Sequence, residues 1–271
     1  MTPLLARGWR GGGWHSLWQR IASNPVLLRD VKGVRLPSSS PPVQSSPPLE
    51  WVPRSEDEAL LVAKGIQDLL SFQAVELCSP VRGQFLSPFF VLTKPDGGCR
   101  FVLNLTALNN YLDPEHFKME DVRTACALIQ NADFFAKVDL VKAYYAVAIH
   151  PAFRKFLRFR HQGTLFEFRC LPFGLSLAPL MARLTKLLRP VFGRLRSEGF
   201  RSVTFLDDFL CIASSEDLCR SNVLATVVLL QSLGFRMNWQ KSSLQPVQRI
   251  VFLGYTLNSS TMKVGLPPGT I

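Results

Sequence analysis

At 271 residues the chain has room for one large domain or two smaller ones, and 31 lysines and arginines against 20 acids leave a net charge of +11 with a pI near 9.7. That balance favours a polyanionic partner such as nucleic acid, although an anionic membrane would respond to it as well. Cysteines at 78, 99, 126, 170, 211 and 219 form no CxxC pair and have no accompanying histidine set, which argues against a zinc module or a disulfide framework and suits a reducing, intracellular compartment.

Met1 to Gly13 mixes arginine and glycine without the apolar run of a signal peptide. Trp9, Trp14 and Trp18 make residues 1–35 too apolar for a plain tail and too irregular for a defined domain. Residues 36–50 hold prolines 37, 41, 42, 47 and 48 among serines, which predicts an extended linker and a boundary near residue 50. Ser55-Glu56-Asp57-Glu58 is a capping-box sequence, followed at helical spacing by Ala59, Val62, Ala63, Ile66, Leu69 and Leu70. Strands are expected over 85–93 and 99–105, joined by the turn Lys94-Pro95-Asp96-Gly97-Gly98. Phe134 to Val138 reads as a buried strand ending at Asp139, and 153–160 with 165–170 as a hairpin around 161–164. Helices are expected over 179–196 and 218–233, and a strand over 250–257; the stretch 223–230 is far shorter than the roughly 20 residues of a membrane span. Strands and helices mix without regular βαβ alternation, the pattern of an α+β fold.

Between two β-forming runs stands Phe205-Leu206-Asp207-Asp208, a hairpin with an acidic tip. An isolated Asp-Asp is more often a solvated turn. Adjacent carboxylates also repel and raise each other's proton affinity until a cation offsets them. With a third acid, such a pair suits two Mg²⁺ ions about 3.5–4 Å apart, the arrangement that serves phosphoryl transfer. Asp139, at the end of its strand, is the candidate third acid; taken alone it reads as a helix cap.

In this order and at these spacings, Asp139-Leu-Val-Lys-Ala-Tyr-Tyr, Leu171-Pro-Phe-Gly-Leu-Ser-Leu-Ala-Pro179, Phe-Leu-Asp207-Asp208 and Phe252-Leu-Gly-Tyr255 resemble the successive motifs of reverse transcriptases. The context is most similar to retrotransposons of the DIRS type and to their Ty-gypsy and pararetroviral relatives, and it covers about residues 82–266. The resemblance implies the fingers and palm of a right-hand polymerase, an antiparallel palm sheet backed by helices. It also implies RNA-directed DNA synthesis from dNTPs on a primed RNA or DNA template, with two Mg²⁺ ions (or Mn²⁺). On the matching positions, Asp139, Asp207 and Asp208 are the catalytic acids and metal ligands, and Lys241 is the acid that protonates pyrophosphate. Tyr144 is the steric gate under the sugar; Phe173 and Gly174 lie near the incoming nucleotide. Arg100 contacts the base and α-phosphate, and Lys94 the γ-phosphate. Phe252, Leu253, Gly254 and Tyr255 are the primer grip.

The implied domains are 1–50 (extension and linker), 51–135 (first helix and fingers), 136–266 (palm, with a fingers insertion around 150–178) and 267–271 (the start of a thumb). On this reading the thumb is largely absent, which predicts weak template-primer affinity and low processivity, and RNase H and recombinase functions belong to regions outside the chain. No membrane partner is expected. Asn104, Thr106 and Lys142 stand where relatives commonly carry Asp, a base and an acid; the first two would remove a charge pair in the fingers. A non-catalytic nucleic-acid-binding remnant is the alternative function. The run Arg154-Lys-Phe-Leu-Arg-Phe-Arg160 fits a single-strand binding surface or a strand with one packed and one solvated face.

Overall fold

The computed structural model describes residues 13–93, 99–113, 120–175, 177–267 and 269. Its strands are β1 (Val75–Leu77), β2 (Phe89–Thr93), β3 (Cys99–Leu103), β4 (Phe134–Asp139), β5 (Arg158–His161), β6 (Thr164–Phe168), β7 (Arg201–Phe205), β8 (Asp208–Ala213), β9 (Ser243–Val247), β10 (Arg249–Phe252), β11 (Tyr255–Asn258) and β12 (Lys263–Gly265). They divide between two compact units, one built mainly from Asn24–Phe117 and Tyr144–Leu184, the other from Ser16–Ser23, Lys118–Ala143 and Thr185–Ile271.

The first unit holds the antiparallel sheet β1-β6-β5 and the β2-β3 hairpin. Helix Glu56–Ser71 starts where Ser55 Oγ accepts from the Glu58 N–H at 3.2 Å, but the Glu58 carboxylate accepts from Arg54 N–H at 2.7 Å, so the reciprocal bond falls one residue early. Its apolar face carries Val62, Ile66 and Leu69. Phe101 anchors the core between Phe89 (ring centroids 4.7 Å apart) and Phe159 (4.9 Å). β5 begins later than its composition suggests, because Pro151 opens a helical turn, Pro151–Arg154, whose Ala152 N–H is capped by His150 Nδ1 at 3.3 Å. Gln162 (φ +48°) and Gly163 (φ +73°) then make a two-residue turn, so the β5-β6 ladder runs to its tip. Arg158 is only 5% exposed, held by Glu167 directly across the ladder (2.7 Å) and by Gln84 (2.6 Å). The middle of the basic run 154–160 is therefore a buried ion pair, with Arg160 facing out. Residues 36–50 form neither helix nor strand. They are fastened along this unit: Gln44 exchanges two hydrogen bonds with the Leu86 backbone, Tyr111 OH donates to Val43 O, and Asp113 N–H to Pro37 O.

The second unit is organised by the antiparallel sheet β7-β8-β4-β9. Helix Glu216–Ser232, capped by Ser215, buries Cys219, Val223, Val227 and Leu230 and packs against β8, β4 and β9. A second cluster joins Phe135, Val203, Leu210 and Ile212 to Ala125 and to Ile250, Phe252 and Leu257 of the sheet β10-β11-β12. Layers on both sides of β4 and β8 explain why these strands read as apolar runs rather than alternating ones. Asp133, 1% exposed, anchors the sheet through a bidentate pair with Arg201 at 2.6 and 2.8 Å. No described helix is long and apolar enough to cross a membrane.

Candidate active site

The second unit assembles the acids. Asp139 closes β4 and Asp208 opens β8, and strand register sets them opposite each other. Phe205 pairs with Asp208 across a two-residue turn, Leu206-Asp207, which puts Leu206 at φ +55°. A left-handed leucine costs about 1 kcal/mol or more, and such strain persists only where neighbours hold it. Here Leu140 N–H donates to Asp207 O at 3.0 Å, and Phe205 packs against the core cluster. The end of β4 is clasped by 238–242: Asn238 N–H donates to Asp139 O (2.8 Å), Asp139 N–H to Ser242 Oγ (3.0 Å), and Ser242 Oγ to Asn238 O (2.7 Å). Lys241 N–H in turn donates to Asn238 O at 3.2 Å, which fixes the backbone carrying its ammonium.

Burial raises the Asp139 carboxyl to about 6, reinforced by the charge and hydrogen bond of Asp208 and by the charge of Asp207, with Lys137 partly offsetting them. Asp207 is also raised, chiefly by burial and further by Asp208, while its own backbone N–H, Lys241 and Lys137 act the other way. Lys137 Nζ forms an ion pair with Asp208 Oδ1 at 3.0 Å. A carboxyl raised in the fold binds its proton before the unfolded chain does, so its cost is full at neutral pH and relieved as pH falls through about 6. In EDTA, Asp139→Asn is therefore expected to be more stable than the native chain at pH 7.5 by roughly 1–2 kcal/mol, after allowance for solvent screening. The gap should shrink to about half by pH 5 and close only as pH falls below the ordinary carboxylate value of about 4, which thermal melts of both chains across pH will check; a constant gap would refute it.

Among the described residues, no three His, Cys, Asp or Glu side chains form a ready-made metal cage. Asp208 is engaged by Lys137 through Oδ1 and is hydrogen-bonded to Asp139, so the three predicted acids share one end of the sheet with Asp208 already partnered. Hard carboxylate oxygens from Asp139 and Asp207 nonetheless suit Mg²⁺, which commonly takes one or two protein carboxylates and completes its shell with water and phosphate.

The first unit brings together the predicted nucleotide-side residues. Arg100, exposed on β3, has its guanidinium carbon 5.6 Å from the Phe173 ring centroid. Phe173 meets Tyr144 edge-on, 5.4 Å between centroids at 73°, and Tyr145 at 5.9 Å. Gly174 (φ +107°) passes so close to β3 that an added Cβ would lie 1.7 Å from Leu103 O. Leu103 N–H donates to Phe173 O at 3.0 Å and Asn109 Nδ2 to Gly174 O at 3.2 Å. Asn104 and Thr106 replace the expected charge pair with a neutral side-chain turn, Asn104 Oδ1 accepting from Thr106 Oγ1 (2.7 Å) and N–H (3.2 Å) just before helix Thr106–Asn109. Lys94 lies outside the described residues.

Phe252 and Tyr255 close a two-residue turn with Leu253 at φ +50° and Gly254 at +79°. Phe252 is 1% exposed in the core cluster, so of this predicted grip it is Gly254 and Tyr255 (40% exposed) that face outward. Sequence reasoning missed Lys137 and Ser242. Lys137 was detectable, since it precedes Asp139 by two in a strand and shares its face; the Ser242 bond spans 103 positions and had no local signal.

Residues 92–257 match the family model described as reverse transcriptase (RNA-dependent DNA polymerase). The Tf2-3 polyprotein of a Schizosaccharomyces pombe transposon is 26% identical over 171 residues, 63% of this chain and 12% of the polyprotein; the Tf2-7 polyprotein of the same organism is 25% identical over the same share. The chain thus spans about an eighth of the length of these curated relatives. Among solved structures, the foamy viral protease-reverse transcriptase in complex with dsDNA superposes at TM-score 0.70 and 17% identity, covering 94% of this chain and 56% of that one. The same protein in complex with an RNA/DNA hybrid gives 0.63 and 18%, covering 94% and 36%. These likenesses show the α+β fold of polymerase fingers and palm. With well over half its length inside the family model and its two acid-bearing strands paired end to end, the chain belongs to the reverse transcriptase family.

Proposed function

We propose that the chain performs RNA-directed DNA synthesis, joining the primer 3′-hydroxyl to the α-phosphate of a dNTP on a primed RNA or DNA template. The observation that carries it is the register of Asp139 against Asp208 beside the Asp207 turn, inside the matched region. Bound Mg²⁺ would supply charge neutralisation at the phosphates and a more acidic hydroxyl. Asp139 and Asp207 are its holders, and Lys241 Nζ carries the proton destined for pyrophosphate. Arg100 grips base and phosphate, Phe173 and Gly174 shape the nucleotide floor, and Tyr144 excludes a 2′-hydroxyl. Leu253, Gly254 and Tyr255 form the primer-facing turn, and Lys94 reaches the γ-phosphate.

The charge of +11 supports nucleic acid as partner, and the titles of the foamy viral structures name dsDNA and an RNA/DNA hybrid as ligands of that enzyme. The curated relatives support a retrotransposon origin; the narrower DIRS-type placement rests on the sequence motifs. The test is dNTP incorporation on a primed RNA template with Mg²⁺, native chain against Asp207→Asn, where equal incorporation overturns the proposal. Tyr144→Ala is expected to raise relative ribonucleotide use roughly tenfold or more, read as the ratio of kcat/KM for dNTP and rNTP; an unchanged ratio removes Tyr144 from that role.

A further inference from the structure

Two lysines and three aspartates meet at one end of the β4-β8 pair. Lys241 and Lys137 both favour the charged form of Asp207. Lys137 makes its ion pair with Asp208 at 3.0 Å, both side chains being largely buried at 21% and 25% exposure. Lys137 is registered opposite Leu210 and Asp139 opposite Asp208, so this is a diagonal contact across the ladder, running from the same strand face that presents Asp139. The consequence is a sorted set of acids. Asp208 has its own fixed cation, its Oδ1 lying 3.0 Å from Lys137 Nζ.

We infer that Lys137 is a positioning residue, a built-in counter-ion that tethers Asp208 to β4 and leaves Asp139 and Asp207 to the divalent ions. This rests on the metal-dependent reading proposed above. Without the ammonium, Asp208 loses its counter-ion beside Asp139, the site gains one net negative charge, and three acids compete for cations where two did. Lys137 therefore sets the metal concentration at which the site fills. It lowers the affinity of the metal-free site and stabilises the protein while no metal is bound.

The test measures binding and stability rather than turnover. Mn²⁺ titration by calorimetry, with melts in EDTA and in saturating Mg²⁺, compares the native chain with Lys137→Met, Lys137→Arg, Asp208→Asn and the double variant Lys137→Met/Asp208→Asn. Lys137→Met is expected to bind Mn²⁺ roughly three- to tenfold more tightly, from one added charge in a partly screened site. It should also melt several degrees lower in EDTA, a deficit that Mg²⁺ largely restores. Lys137→Arg should behave as native. When Asp208→Asn is already in place the Lys137→Met effect should mostly vanish, and the double variant should fold even if the single one does not. An equal melting deficit with and without Mg²⁺, Mn²⁺ affinity within twofold of native, or an effect undiminished by Asp208→Asn would each overturn the inference. A native chain that gains no stability from Mg²⁺ overturns the metal site itself. A native chain that gains as much as Lys137→Met overturns only the role of Lys137.

Discussion

Asp207→Asn will lose template-directed nucleotide incorporation by roughly a thousandfold or more while keeping its fold. Asparagine matches aspartate in shape, and the turn it occupies is held by backbone: Asp207 O accepts from Leu140 N–H at 3.0 Å and Phe205 pairs with Asp208. What is removed is a full negative charge in a site whose burial already penalises that charge. Charge stabilisation worth several kcal/mol is at stake in metal-assisted phosphoryl transfer, and each 1.36 kcal/mol is about tenfold in rate. Stability should hold or rise slightly, because a charge the fold disfavours has gone. Primer extension with matched circular dichroism melts will decide it. Activity within tenfold of native, in a folded variant, would remove Asp207 from the chemistry.

The largest stability effect is expected at Gly174→Ala, roughly 3–5 kcal/mol of the first unit. The new Cβ would meet Leu103 O at 1.7 Å and Leu103 C at 2.9 Å, and both are backbone atoms that no rotamer change can move. The φ of +107° is itself outside what alanine adopts at ease. Relief by sliding is blocked, since the neighbouring Phe173 O is bonded to Leu103 N–H and Gly174 O to Asn109. Any shift must carry Phe173 away from Arg100 and Tyr144. Urea unfolding should show a lowered midpoint, and limited proteolysis should show early cleavage near 174. A loss below about 1 kcal/mol would mean that the β3 backbone yields more easily than its hydrogen bonds imply.

Much of the acid-bearing sheet was legible because its strands are buried on both sides and written as apolar runs ending in aspartate. The runs before Asp139 and around Asp207-Asp208 are of this kind, and they became β4, β7 and β8. β9 was not legible: Ser243-Leu-Gln-Pro-Val247 alternates weakly and contains a proline, which the ladder tolerates only because this strand lies at the sheet edge. Arg158 was illegible for the complementary reason. Whether the run 154–160 is a binding surface or a strand with one solvated face, its sequence leaves that guanidinium in water, and only strand register reveals Glu167 directly across from it. The turn at Asn104 was hidden by expectation, since a missing charge pair says nothing of the neutral hydrogen bonds that replace it.

β4 lies between β8 and β9, both of which follow it in the chain by 60 residues or more. During synthesis one of its edges stays open until residue 213 has emerged and the other until residue 247, and neither partner can be supplied by a local hairpin. For that interval the strand Phe-Phe-Ala-Lys-Val-Asp is an unpaired template for β-addition by any neighbouring chain. Lys137 places a positive charge in the middle of that template, where it disfavours pairing with a second copy of itself. The same ammonium that steadies Asp208 in the finished molecule thus also guards an unfinished one.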